Sequence, residues 1–207
     1  MYRDHAPLIG AAMREDPEIF KRGCVFVILS IRTGIDRLDG QMAEVDEQRA
    51  SAPCLFGWKR RAYQHIQLHG RRLHTTLMDV WNADPMDARQ WSHGAEHEVI
   101  RTLLEVPGLG IVKAAFVAQL FGFDVACIDS RNAEREGRKR DAFKYDKTRK
   151  REARLDKLLA LYLSATHGRA EEYWDAWCDY VGADYKRTGE QISAMHLVIL
   201  PDTYVPF

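Results

Sequence analysis

The four cysteines, Cys24, Cys54, Cys127 and Cys178, are scattered and form no CxxC pair. That spacing argues against a disulfide framework or a cysteine-rich metal centre, and points to small apolar thiols in a reducing cytoplasm. Net charge is also missing: 30 Lys and Arg balance 30 Asp and Glu. A neutral total excludes an overall basic coat for nucleic acid, though not a local patch. No apolar run approaches the ~20 residues of a membrane span. The longest, Cys24 to Ile31, is too short. The start, Met1-Tyr2-Arg3-Asp4-His5, lacks the basic-then-apolar pattern of a secretory leader, so none is expected. Internal repeats and low-complexity tracts are absent as well. With 46% hydrophobic and 29% charged residues in 207, the composition is that of a globular chain. Its length suits a single unit, or two small halves sharing one core.

Helical signals dominate what is present. Asp16-Pro17 is a cap residue followed by proline at the first helical position. Ile19, Phe20, Gly23, Cys24, Val27, Ile28 and Ile31 keep helical spacing, which predicts a buried helix broken at Arg32-Thr33-Gly34. A second helix is expected from about Asp36 to Val45, then a loop over 46–57. Further helices are expected at Trp58–Leu68, Arg72–Trp81, Glu96–Leu104, Ile111–Phe121, Leu155–Ala165 and Glu171–Val181. Asp84-Pro85 opens another turn or helix, Gly122 closes the Ile111 helix, and Gln191–Leu200 is helix or strand.

The most informative stretch is Leu103 to Ala115, which reads helix, apolar-Pro-Gly-apolar-Gly, helix. Its glycines permit a hairpin that side chains would block. The hairpin offers backbone N–H groups at a helix start, and these with the helix dipole suit one phosphate. Such contacts position a nucleic-acid backbone without reading its sequence. Downstream, Val125-Ala126-Cys127-Ile128 puts Asp129 directly after an apolar run. An acid there is a candidate for catalysis, or alternatively the cap of a helix starting at Ser130-Arg131-Asn132.

Hairpin and acid at this separation resemble the helix-hairpin-helix superfamily of DNA glycosylases, in its endonuclease-III-like branch. That family shows Leu-Pro-Gly-Val-Gly followed by Val-Asp-Thr-His; this chain has Val106-Pro107-Gly108-Leu109-Gly110 and Ile128-Asp129-Ser130-Arg131. Upstream, Ile28-Leu29-Ser30-Ile31-Arg32-Thr33-Gly34-Ile35-Asp36 is similar to the branch's Leu-Leu-Ser-Ala-Gln segment. The likeness spans roughly residues 18–135. It implies an all-α fold of two helical halves with a central cleft, forming one unit over 1–207 with the hairpin motif at 98–121. It also implies a nucleotide flipped out of the duplex into that cleft. Asp129 matches the catalytic acid, which activates a nucleophile or stabilises positive charge on the sugar. Arg32 matches the residue that fills the gap left by the base. The partner implied is double-stranded DNA carrying a modified or damaged base, met by a monomer in the cytoplasm, beside the nucleoid. No cofactor is implied, apart from a candidate monovalent cation at the hairpin.

Three departures bear on the chemistry. Members with lyase activity carry Lys as the second residue after the last hairpin Gly; here that position is Val112, and Lys113 follows it. One step on a helix turns a side chain by ~100°, so a monofunctional enzyme without a Schiff-base step is expected. Lys113 stays a candidate catalytic residue, or a phosphate-facing or solvated lysine. The four-cysteine iron–sulfur loop of some members is lacking. Ser130-Arg131 replaces Thr-His.

Residues 131–154 hold eleven Lys and Arg against five Asp and Glu, a local net of +6, so the rest carries −6. With Phe143 and Tyr145 among them, this segment suits a DNA backbone. The candidate DNA contacts are Arg32; Pro107, Gly108, Leu109, Gly110 and Val112 of the hairpin; and Arg131, Arg138, Lys139, Arg140, Lys144 and Lys147. Lys59, Arg60, Arg61, Arg71 and Arg72 form a weaker second patch. His65/His69 and His93/His97 sit at i, i+4 spacing without a third ligand, so no metal site is expected. Tyr173, Trp174, Trp177 and Tyr180 are expected to be core. Ser30 has no His–Asp pattern to make it a hydrolase nucleophile. Two other readings stand beside excision. One is a virus-type enzyme on the same fold that transfers an amine-bearing group to an activated 5-hydroxymethyl pyrimidine in DNA. The other is a non-catalytic DNA-binding module.

Overall fold

A computed structural model describes residues 2–34, 37–83, 93–139, 141–145 and 152–176. Every regular element among them is a helix: α1 (Tyr2–Glu15), α2 (Pro17–Leu29), α3 (Leu38–Gln48), α4 (Trp58–Ala83), α5 (His93–Leu103), α6 (Ile111–Phe121), α7 (Ser130–Arg135) and α8 (Glu152–Thr166). Residues 170–176 are helical again. The expected turn at Asp84, the segment Gln191–Leu200, and the remainder of the Glu171–Val181 helix with Trp177, Cys178 and Tyr180 fall outside the described residues. None of the described helices is long and apolar enough to cross a membrane.

The apolar run in α2 makes it the central helix. Residues 19–21 and 23–29 are all buried, because α1, α4 and α6 pack around it. Asp16 caps it through Oδ1, which accepts the Glu18 N–H at 2.7 Å, and Pro17 sits at the first position. α4 is the longest contact partner. The sequence pattern predicts a break near Gly70, yet the helix runs unbroken from Trp58 to Ala83. The reason is packing: a Cβ on Gly70 would lie 2.6 Å from Lys21 Cγ, so the missing side chain lets α2 and α4 approach. No element is expected before Asp16, where the structure has α1, with Pro7 inside it.

α6 closes the bundle. Phe121 and Phe123 join Phe20, His74 and Trp81 in an aromatic cluster with ring centroids 5.5–6.1 Å apart. Arg14 donates to Phe121 O at 2.5 Å and lies 4.0 Å over the Trp81 ring, placing a cation at the C-terminal end of α6. Gly122 ends α6 as expected, its N–H returning to Ala118 O and Gln119 O. α8 packs against α5.

Candidate functional site

α5 and α6 are joined by residues 104–110. Val106 and Leu109 are fully buried and anchor this connection in the core. Gly108 has φ +83, a left-handed conformation that disfavours any side chain. It is also covered: an added Cβ would overlap Cε3 of Trp58, the first residue of α4. Gly110 is the N-cap of α6, and its carbonyl accepts from Lys113 N at 3.1 Å and Ala114 N at 2.9 Å. The N–H groups of Ile111 and Val112 precede those bonds and are the ones the helix leaves unused. Pro107 and Gly110 are half-buried and Gly108 is exposed. The Leu109 side chain is wholly buried, which leaves its backbone for a ligand. Val112 is half-buried and packs against the core.

Lys113 crosses from the first turn of α6 to the far end of α2. Its Nζ donates to Ser30 Oγ at 3.3 Å and lies 5.1 Å from the Phe116 ring centroid. Ser30 caps α2, its hydroxyl donating to Val27 O at 2.7 Å. A second lysine approaches the same end. Lys59 is 3% exposed; its Nζ donates to Leu29 O at 3.0 Å and Thr33 Oγ1 at 3.3 Å. Burial pulls the Lys59 ammonium below its ordinary pKa. Between those two contacts sits Arg32, exposed and at φ +59, a strained conformation for a long side chain.

Asp129 is half-buried at the end of an extended segment. The apolar run Val125–Ile128 joins no sheet, so its polar backbone is satisfied piecemeal. Val125 forms one antiparallel bridge with His167. Ala126 N donates to Thr166 O at 3.1 Å, Cys127 N to Gln119 Oε1 at 3.1 Å, and Ile128 N to Tyr162 Oη at 3.2 Å. Tyr162 in turn donates to Ala126 O at 2.7 Å. Asp129 Oδ1 accepts the Asn132 N–H at 2.9 Å, so the carboxylate caps α7. A cap fixes its rotamer and leaves it set at the start of the basic segment. Burial pushes the Cys127 thiol up to about 12; the Lys113 charge lowers it and the Asp129 charge raises it. Both charged groups therefore act on one sulfur.

A cavity of about 260 Å³ lies against the first turn of α6. Lys113, Ile128, Lys139, Asp141, Lys144 and Tyr145 contribute to its walls. A wider groove of about 1020 Å³ runs past Gly108 and Gly110, where Lys144, Arg154, Lys157 and Leu161 line it. Positions 154, 157, 158 and 161 share one face of α8, and Leu161 is 53% exposed there.

The basic segment is less available than its composition suggests. Arg138 pairs with Glu136 at 3.1 Å and lies over the Phe143 ring; Arg135 pairs with Glu172 and lies over Tyr173. Lys139 and Lys144 are exposed. Arg140, Lys147 and the side chain of Arg131 lie outside the described residues. Phe143 is a correction: it is buried edge-on against Tyr162, so it is core and not an interleaved stacking platform. In the second patch Arg61 is exposed, while the others have partners or are buried. Lys59 is buried, Arg60 donates to Leu55 O, and Arg71 and Arg72 pair with Glu18 and Glu105. Tyr173 and Trp174 are buried as expected. His97 meets Asp156 at 3.5 Å, and His93 packs on His167, whose Nδ1 is 2.8 Å from buried Glu96. No group of three or more potential metal ligands occurs among the described residues.

Sequence reasoning missed three contributors: Trp58 over the hairpin, Lys59 on the α2 end, and Lys157 in the groove. Gly57 before Trp58 marks a helix start, but no local pattern says that this start touches residues 108 and 29. No family model, curated protein or solved structure matches the chain.

Proposed function

We propose that this chain is a helix-hairpin-helix enzyme acting on a nucleotide extruded from double-stranded DNA, and that it cleaves the N-glycosidic bond with Asp129. One observation carries this reading: the first turn of α6, directly after the hairpin, is where Lys113, the Asp129 segment and the end of α2 meet. The hairpin amides and the cations Lys139 and Lys144, with Arg131, Arg138, Arg140 and Lys147 of the same segment, hold the backbone. Arg32 fills the gap. As the C1′–N bond breaks, its electron pair leaves with the base and the Asp129 carboxylate stabilises the positive sugar; water adds to C1′ and gives a proton to the carboxylate, and the departed base takes up a proton, leaving free base and an abasic sugar. Val112 at the lyase position favours hydrolysis without a covalent step. A monomer with its cleft between two helical halves, and a monovalent cation at the hairpin, belong to the same reading. Duplexes carrying a panel of modified, damaged or mismatched bases should yield abasic sites for at least one of them. Asp129→Asn should abolish turnover and keep most binding. Intact binding with no abasic product from any duplex overturns excision.

A second reading has its own support. Lys113, Lys139 and Lys144 face one acid, Asp141, in a cavity otherwise walled by groups such as Ile111, Val112 and Phe143. Besides holding the backbone, such ammonium groups can neutralise an anion inside the cavity. They suit a flipped pyrimidine whose 5-methylene carries an anionic leaving group. An incoming amine would form the new C–N bond at that methylene as the anion departs. Nucleoside mass spectrometry separates the readings, since the base is changed in one and lost in the other. If Asp129→Asn alters no readout at all, a non-catalytic DNA-binding module is the answer.

A further inference from the structure

The start of α4 touches both sides of the candidate site through consecutive residues. Trp58 covers Gly108 of the hairpin, leaving no space for a Cβ. Lys59 bonds both flanks of the Arg32 loop, at Leu29 O and Thr33 Oγ1. A buried ammonium is costly unless its hydrogen bonds are made, and its acceptors are the last carbonyl of α2 and a hydroxyl in the loop that follows. Arg32 between them is held in a left-handed conformation that arginine on its own avoids. Strain of this kind persists only where the surroundings impose it.

We propose that Lys59 is a positioning residue for Arg32: it clamps the loop after α2 in its strained form and, through Trp58, ties it to the hairpin. The inference rests on the base-extrusion reading above. Backbone contact at the hairpin and occupation of the gap by Arg32 then have one rigid connection, and the wedge is set before DNA arrives. Such a device acts on extrusion and not on general affinity, because neither Lys59 nor Trp58 belongs to the exposed cation set.

The probe is a duplex with 2-aminopurine opposite a tetrahydrofuran abasic analogue, whose fluorescence rises on unstacking. Affinity for an unmodified duplex is measured in parallel. Lys59→Met should lower the fluorescence rise about tenfold while affinity changes less than about twofold, as loss of a charged hydrogen bond confined to one step requires. Thr33→Val removes one acceptor and leaves the lysine in place; it should lower the rise about threefold. Thr33→Ser, which keeps the hydroxyl, should restore it. Melting temperature identifies a Lys59→Met protein that has lost its fold, and the Thr33 pair then decides. The inference is overturned if Arg32→Ala abolishes the rise while Lys59→Met and Thr33→Val leave it unchanged. It is also overturned if affinity and fluorescence fall together in every variant. If the wild-type protein binds the duplex and gives no rise, the base-extrusion reading itself fails, and this one with it.

Discussion

Two of the left-handed positions in this molecule, Gly108 and Arg32, are held in opposite ways. At the hairpin the residue is Gly108, exposed to solvent on one side and pressed against the Trp58 ring on the other. After α2 it is Arg32, with no ring upon it and two Lys59 hydrogen bonds flanking it. The first turn is set by shape: a glycine relaxes into it and any Cβ is expelled. The second is set by polar contacts that hold a residue in a conformation it would leave. A glycine at the second turn would adopt the same conformation without strain. Keeping an arginine in the second costs stability, which is the pattern expected where the side chain is needed for something other than folding.

The largest effect should come from breaking the shape-held turn. Gly108→Ala is expected to destabilise the protein by about 3 kcal/mol, from left-handed strain plus overlap with Trp58. Denaturant midpoints measure this. Adding Trp58→Ala should return part of the loss, and strictly additive values would show that the ring is not the obstacle. The other turn should respond with the opposite sign. Arg32→Gly relieves strain and is expected to raise stability by about 1 kcal/mol while removing the wedge. A destabilised Arg32→Gly protein would mean the arginine is structural. Salt separates the turns further. Replacing Lys144, Arg154 and Lys157 by Gln on the hairpin side should lower the slope of log affinity against log salt by about 3, and Arg32→Gly by about 1 at most. An unchanged slope for the triple variant would clear the groove of backbone contact.

The smallest effect concerns neither turn and tests the ion pairs around Arg169. The Arg169 hydrogen bond holds Glu172 below the ordinary 4.5. Desolvation opposes a lowering at Glu136, but bonds from Tyr173 and Arg138 and the Arg169 charge overcome it. Both folded values lie below the unfolded one, so their contribution is full above about 4.5 and fades as pH falls through the folded values. Arg169→Met should shrink this acid-side dependence slightly, since Glu172 is half-exposed. A stability profile with the same acid slope in both proteins would refute the assignment.

Much of the bundle was legible because its signals are local. The Asp16-Pro17 start, the α6 apolar run and its Gly122 stop each depend on neighbouring residues only. The turn between α5 and α6, with its left-handed Gly108, was legible for the same reason. Gly70 misled because its role is set by Lys21, far away in the chain: glycine reads as a breaker until a second helix is seen to need the space. Charge misled similarly. A count cannot show that Arg138 and Arg71 have acid partners or that Lys59 is buried, whereas Lys144 is exposed. Asp129 was found by its place after an apolar run. The place of Asp129 before Ser130 also suits a helix cap, and the bond from the Asn132 N–H makes it one.

The extended segment before Asp129 also has a consequence for synthesis. Its hydrogen-bond partners include Tyr162 and Thr166, and Asn132 next to the acid bonds back to Cys127 O. As the chain leaves the ribosome, α2 and α4 can meet before Tyr162 has been made. The acid-bearing segment must wait for α8. A nascent chain stopped before that point would lack a fixed Asp129, so the segment that carries it is among the later parts to mature.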